Sequence, residues 1–344
     1  MIIEDIEDIE NIENIENIEN IDNGSNDGCS DRKYMYAICL TLFSSFFYSL
    51  QYLDVKLVSN TNKDNNDNNN TPLLTILFLR GIVGTCTSLL FILLFRLFYG
   101  YSIFHFQSSS VLPLSLRGIL GCLSIYCSFH AVHFLPLSVA SVFTSLTPIW
   151  TAIYSHLYQE NNILPFPRWT KKHWFVNILC LWGVIILSVP YWQEENSNTS
   201  KPSQGIIYAL FSSLFQSGVN ISIVQMKEEH TLVNSFYSMG MTTILSLCWW
   251  KTTRSSLVFY ISFGNIRTSI FMYSMGFLSL LAQSLRTSAL QISNSLPLTT
   301  FRYLDIPLAF LWDSVIFHYT FSIYEIIGIS IILFALILKL CMLQ

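Results

Sequence analysis

Runs of about 18 or more mostly apolar residues recur between residues 34 and 341, and that recurrence leaves few folds open. Coiled as a helix at 1.5 Å per residue, a run of about 20 residues crosses the hydrocarbon core of a bilayer. Ten such spans can be placed, at 34–57, 72–95, 112–133, 137–158, 173–190, 205–225, 232–250, 268–290, 296–316 and 322–341. Only 12% of the 344 residues are charged, about half the share of a soluble domain, and mean hydropathy is +0.46. The sequence therefore predicts an all-α integral membrane protein that passes the lipid bilayer many times. Nucleic acid is not expected as a partner.

The formal net charge of -4 conceals an uneven distribution. Eleven of the 22 acidic residues lie in residues 1–31, where Ile-Glu-Asn repeats at a period of three that fits no helical stripe. This stretch reads as a disordered, acidic, low-complexity tail, and its acidity excludes a cleavable signal peptide. The 18 basic residues against the remaining 11 acidic ones leave the membrane body at +7. That excess suits an anionic solute, or it is ordinary loop charge on the cytosolic side. Arg32 and Lys33 before the first span favour cytosolic N- and C-termini for an even number of spans. Endomembrane and plasma membrane are both compatible. The cysteines form no C-x-x-C pair and read as small packing residues, with no metal site or cofactor indicated.

An internal repeat organises the spans. Leu42-Phe-Ser-Ser-Phe-Phe-Tyr-Ser-Leu50 in the first matches Leu210-Phe-Ser-Ser-Leu-Phe-Gln-Ser-Gly218 in the sixth. Leu73 to Gly81 lies over Leu232 to Gly240, and Thr147-Pro-Ile-Trp150 over Ile306-Pro-Leu-Ala309. Five spans per half is an odd number, so the second half must enter the membrane from the opposite face. The expectation is two inverted five-helix repeats, 34–190 and 205–341, joined by a non-cytosolic linker at 191–204, with a substrate site between them.

Ionisable residues inside apolar spans are costly and mark candidate sites. Arg80 in span two has Met239 as its repeat counterpart, an asymmetry that points to function, although snorkelling or pairing with Asp54 would also explain it. Arg286 follows Gln283 by three residues and either binds solute or snorkels. Arg302 and Asp305 are three apart in span nine. They either neutralise each other, or Arg302 meets a solute carboxylate or phosphate and Asp305 carries a proton. Gln216 and Asn220 are neutral hydrogen-bonding candidates on one face of span six. Cys122, Tyr126, His130 and His133 share a face of span three, where the histidines read as packing or interfacial residues rather than metal ligands. Tyr126 is a candidate for lining the solute path. Pro148 and Pro307 occupy equivalent places in spans four and nine and are candidate bend points of gating helices. Motifs of phosphate loops, zinc proteases, nucleophile elbows and ion filters are absent, so no enzyme or channel is expected.

Arg117-Gly-Ile-Leu-Gly121, Phe129-His-Ala-Val-His-Phe-Leu-Pro-Leu-Ser138 and Thr147-Pro-Ile-Trp-Thr-Ala152, with Glu160 after them, resemble the central part of an EamA domain. That domain belongs to the drug/metabolite transporter superfamily, and the likeness is nearest to the group G type of solute carrier 35. The resemblance implies ten transmembrane helices in two inverted repeats. Helices one to four and six to nine would surround the path, with five and ten outside and able to support a homodimer. It further implies alternating-access transport of small organic metabolites, among them organic anions and nucleotide sugars. The second half departs from the pattern, with Phe317-His-Tyr319 where a partner to Glu160 is expected, and Asp313 is unusual at its place. Other classes compatible with the sequence are a membrane scaffold using the acidic tail and, more remotely, a lipid-modifying enzyme using His130, His133 and Asp305.

Overall fold

The computed structural model describes residues 32–58, 73–99, 111–160, 171–193, 202–226, 229–253, 266–293 and 296–341. The acidic tail and the Asn/Asp-rich stretch after span one lie outside the described residues, as does most of the 191–204 linker. The described chain is helical, with no strand. Its elements are α1 (Arg32–Val58), α2 (Leu73–Tyr99), α3 (Val111–Phe134), α4 (Leu137–Thr144), α5 (Thr147–Glu160), α6 (Lys171–Gln193), α7 (Pro202–Gln225), α8 (Thr231–Thr253) and α9 (Ile266–Ser293). A 3-10 helix (Leu296–Leu304), α10 (Asp305–Val315) and α11 (Ile323–Cys341) complete it.

Six stretches, from Arg32–Val58 through Ser203–Gln225, are long and apolar enough to cross a membrane by length and composition. Large apolar side chains also crowd the outside of the bundle, among them Leu97, Phe98, Trp182, Ile270, Ile323 and Phe334. Water would penalise so continuous an apolar exterior, whereas lipid tails accept it. The chain is a multi-pass helical membrane protein.

Spans four and nine, expected as single helices, are each broken. Span four stops at Ser145-Leu146 and restarts with Pro148 in the first turn of α5, where a missing N–H costs nothing. The Thr144 carbonyl, left without a donor from Pro148, accepts the Thr147 hydroxyl at 2.8 Å. Span nine runs as a nine-residue 3-10 helix before α10 begins at Asp305, with Pro307 again in the first turn. Runs of 3-10 helix beyond three or four residues are uncommon and often mark a hinge. Both prolines therefore start helices after a break rather than bending continuous ones.

Small residues bring the helices together. A Cβ on Gly81 would lie 2.5 Å from the Thr243 hydroxyl, so α2 and α8 touch at backbone range. At the α6–α11 contact, a Cβ on Gly328 would lie 2.7 Å from the Gly183 carbonyl oxygen and one on Gly183 would lie 3.0 Å from that of Gly328. Other principal contacts join α3 with α7, α2 with α9, α3 with α8, α4 with α10 and α5 with the 3-10 helix. The α3–α4 joint is clamped by charge. Lys56 donates to the carbonyls of Val132 (2.9 Å) and Leu135 (2.6 Å), and the Asp313 carboxylate accepts the Ser138 N–H at 2.7 Å. Asp313 thus caps α4 from another helix, which accounts for an acid at that place. At the start of α11, Ser322 and Glu325 form a reciprocal capping box.

Gly328→Ala is expected to lower the melting temperature of the purified protein in detergent, at a cost of about 1–3 kcal/mol, because only backbone could move aside. Gly240→Ala, whose added Cβ meets nothing within 4 Å, should be neutral or stabilising.

Candidate functional site

Between the two halves of the chain lies a narrow cleft with about 20 Å³ of free room. Its walls come from α1 (Tyr48, Gln51, Tyr52), α3 (Arg117, Gly121, Ile125), α7 (Gln216, Val219, Ile223), α8 (Ser238), α9 (Gln283, Arg286, Thr287) and Arg302 of the 3-10 helix. A smaller space of about 10 Å³ shares Arg286 and Arg302 and adds Thr41, Asn220 and Leu298. These residues lie towards the end of the bundle where α1 begins and α9 ends.

The arginines dominate the chemistry. Arg117 is fully buried and donates one bond, Nη2 to Thr287 Oγ1 at 2.9 Å, while its Nε and Nη1 have no partner. Arg286 lies over the Tyr48 ring, 4.7 Å from its centroid, with Nη2 unpartnered. Arg302 and Asp305 form a buried ion pair at 3.5 Å between Nε and Oδ2. At that distance the contact is mainly coulombic. Nε and Nη1 of Arg302 and Oδ1 of Asp305 all remain unpartnered. The pair therefore leaves donors for a solute. Desolvating an ion costs several kcal/mol, and a hydrogen bond to a charged group returns about 1.5–3 kcal/mol. An anion entering this cavity can offset much of the cost that the unpaired guanidiniums carry.

Neutral groups complete the walls. Gln216 accepts from Ser124 at 3.2 Å, Gln283 donates to Ser238 at 2.7 Å, and Asn220 keeps an unpartnered Oδ1. Of the sequence-derived candidates, Arg286, Arg302, Gln216 and Asn220 thus converge on adjoining spaces.

Arg80 does not line them. It is buried on α2 within electrostatic reach of Tyr48 and Tyr52, which do, and Nε and Nη1 lack partners. Among the described residues no ion pair joins it to Asp54, whose carboxylate accepts the Ser274 hydroxyl at 2.7 Å. Tyr126 stands nearer the other end of α3, in an aromatic group. Its ring centroid is 4.2 Å from Trp249 and 4.5 Å from His130, which stacks on Tyr208 at 4.8 Å. Phe134 stacks on the same tyrosine at 6.4 Å. The described side chains hold no group of three or more His, Cys, Asp or Glu placed to bind a metal, so His130, His133 and Asp305 do not form one cluster.

Arg117 is the residue that sequence reasoning missed. It was legible only as part of an arginine-glycine start to span three. The available signal was depth: six residues of α3 precede it, more than one full turn.

Comparison with known proteins follows the same lines. No family model matches the chain. Over 271 residues, 78% of this chain and 83% of the relative, it is 25% identical to the pseudopaline exporter CntI of Pseudomonas aeruginosa, in strains UCBPP-PA14 and PAO1. Among solved structures it is similar to one protein's crystal structure. The TM-score is 0.56 at 15% identity, over 92% of this chain and 97% of that one. The fold is therefore shared with a structure known by experiment.

The cavity's charge can be read chemically. With the exposed cysteines replaced, Val219→Cys should react about ten-fold or more faster with a sulfonate-bearing methanethiosulfonate than with a trimethylammonium one, because a cationic cleft concentrates anions. A cysteine placed at Ser330, exposed on α11, should not show that preference.

Proposed function

We propose that this protein is a membrane transporter of small organic anions, working by alternating access between two inverted five-helix repeats. The observation that carries the reading is the convergence of Arg117, Arg286 and Arg302 on one interfacial cavity with donors unspent. The likeness to an exporter supports transport as the activity. It is also the reason to set the enzyme reading aside.

The repeat reading draws support from the contact pattern. Exchanging the five spans of one half for those of the other turns α2–α9 into α3–α8 and α4–α10 into α5–3-10, and leaves α2–α8 and α6–α11 unchanged. All of these contacts occur. Ser44 on α1 donates to the Ala282 carbonyl on α9, and its repeat counterpart Ser212 receives Ser124 from α3. Trp150 donates to Ser213 and Trp312 to Ser49, again crossing from the fourth span of one half to the first span of the other. The breaks beside Pro148 and Pro307 are the hinges of this scheme.

With the termini cytosolic, the cavity faces the cytosol and the Tyr126–His130–Tyr208–Trp249 group closes the far end. The outward faces of α6 and α11, with Phe175, Trp182 and Phe334 exposed, meet lipid or a second copy of the chain. Arg80, behind Tyr48 and Tyr52, adds positive potential without touching the solute.

Flux into liposomes containing the purified protein, measured over a panel of organic anions, neutral sugars and amino acids, tests the reading. Anions are expected to move, and Arg302→Gln should reduce their flux at least about ten-fold, the worth of one charge-assisted contact. Movement of neutral sugars alone, unchanged by Arg302→Gln, would contradict it.

A further inference from the structure

The repeat that matches Leu42–Leu50 with Leu210–Gly218 sets Tyr48 against Gln216, and both side chains line the cleft. One position of the repeat thus faces the cleft from each half, with an amide on α7 and an aromatic ring on α1. The ring offers something that the amide does not. Arg286 of α9, from the opposite half, lies over it at 4.7 Å from the centroid. The other buried arginines among the described residues, Arg80, Arg117 and Arg302, stand within electrostatic reach of the same tyrosine. Arg302 and Arg286 are also within reach of each other, and like charges repel.

The guanidiniums are held in different ways. Arg117 gives Nη2 to Thr287, and Arg302 faces Asp305 at 3.5 Å. Asp305 attracts Arg286 as well, from beyond ion-pair distance among the described residues. That attraction acts on the charge without orienting the group. A hydroxyl or carboxylate partner takes up some of the five N–H donors of a guanidinium. An aromatic face attracts the same cation through its quadrupole and needs none of them as a conventional hydrogen bond. Arg286 keeps Nη2 unpartnered while it rests on the ring.

We infer that Tyr48 is a positioning residue for the solute: its ring holds Arg286 at the cleft, against the repulsion of Arg302, and leaves guanidinium donors for an anion. The inference rests on the anion reading above and adds the residue that orients one of its arginines. The ring is what holds the cation, so phenylalanine should serve at this place and leucine or glutamine should not.

The test places Tyr48→Phe, Tyr48→Leu and Tyr48→Gln in the full-length protein, the last carrying the residue found at the matching repeat position. One readout needs no solute. With arginine labelled with heavy nitrogen, the side-chain Nε–H resonance that Arg286→Gln removes is expected upfield, under the ring current of Tyr48. It should stay there in Tyr48→Phe and move downfield in Tyr48→Leu and Tyr48→Gln. The second readout is flux into liposomes, with acetate, lactate and inorganic phosphate as probes. For the probe that the wild type moves fastest, Tyr48→Phe should keep KM within about two-fold, whereas Tyr48→Leu should raise it about ten-fold, the worth of one charge-assisted contact. Beside Arg286→Gln, Tyr48→Leu should change KM by less than about two-fold, because its effect runs through Arg286. Equal losses in Tyr48→Phe and Tyr48→Leu, or an undiminished effect of Tyr48→Leu beside Arg286→Gln, overturns the positioning role and leaves the anion reading standing. An Arg286 resonance that Tyr48→Leu does not move overturns it as well. If no probe moves while neutral sugars do, the anion reading fails, and the Arg286 resonance alone decides whether the ring holds the guanidinium.

Discussion

Charge buried in an apolar bundle must be compensated, and the interior of this molecule is arranged around that constraint. Arg302 and Asp305 meet it halfway. Their 3.5 Å contact cancels charge, yet both side chains keep unpartnered hydrogen-bonding atoms. Arg117 spends one donor on Thr287, and Arg286 rests on the Tyr48 ring. None of these contacts discharges the desolvation cost of a guanidinium, which is several kcal/mol. In the proposed transporter, an anion in the space they share completes the balance. Lys56 and Asp313 show the contrasting case. They sit at the α3–α4 joint, where helix-end carbonyls and an N–H satisfy them, and they hold backbone in place.

The helices themselves were plainly legible in the sequence, because apolar runs of membrane length dominate it. Every placed span has helical counterparts within a few residues of its expected limits. The breaks in spans four and nine were less so. Pro148 and Pro307 announced a disturbance, but a proline in the first turn of a new helix and one bending a continuous helix look alike in sequence. The nine-residue 3-10 helix has no sequence signature of its own.

The site was partly legible for a related reason. A residue type and its depth in a span can be read along the chain, but the direction its helix turns depends on partners from distant segments. Arg286, Arg302, Gln216 and Asn220 face the inter-half space, whereas Arg80 does not line it and Tyr126 packs on Trp249. Arg117 was hidden among the residues that gave the family likeness, next to Gly118. That glycine does pack, since a Cβ on Gly118 would lie 2.7 Å from Met241 Cβ. It thereby fixes the face that turns Arg117 inward.

The buried arginines cluster towards one end of the bundle, and the aromatic group of Tyr126, His130, Tyr208 and Trp249 lies towards the other. The proposed carrier needs the two ends to open in alternation, and in that proposal the paired helix breaks are where the motion is taken up. Pulsed electron-spin resonance on the reconstituted protein addresses this directly, with one label pair at Thr41 and Leu298 and a second at Phe134 and Trp249. Adding a transported anion should shorten the first distance and lengthen the second in the same population. First-pair distances unmoved by any transported solute, or both ends widening together, would contradict the account.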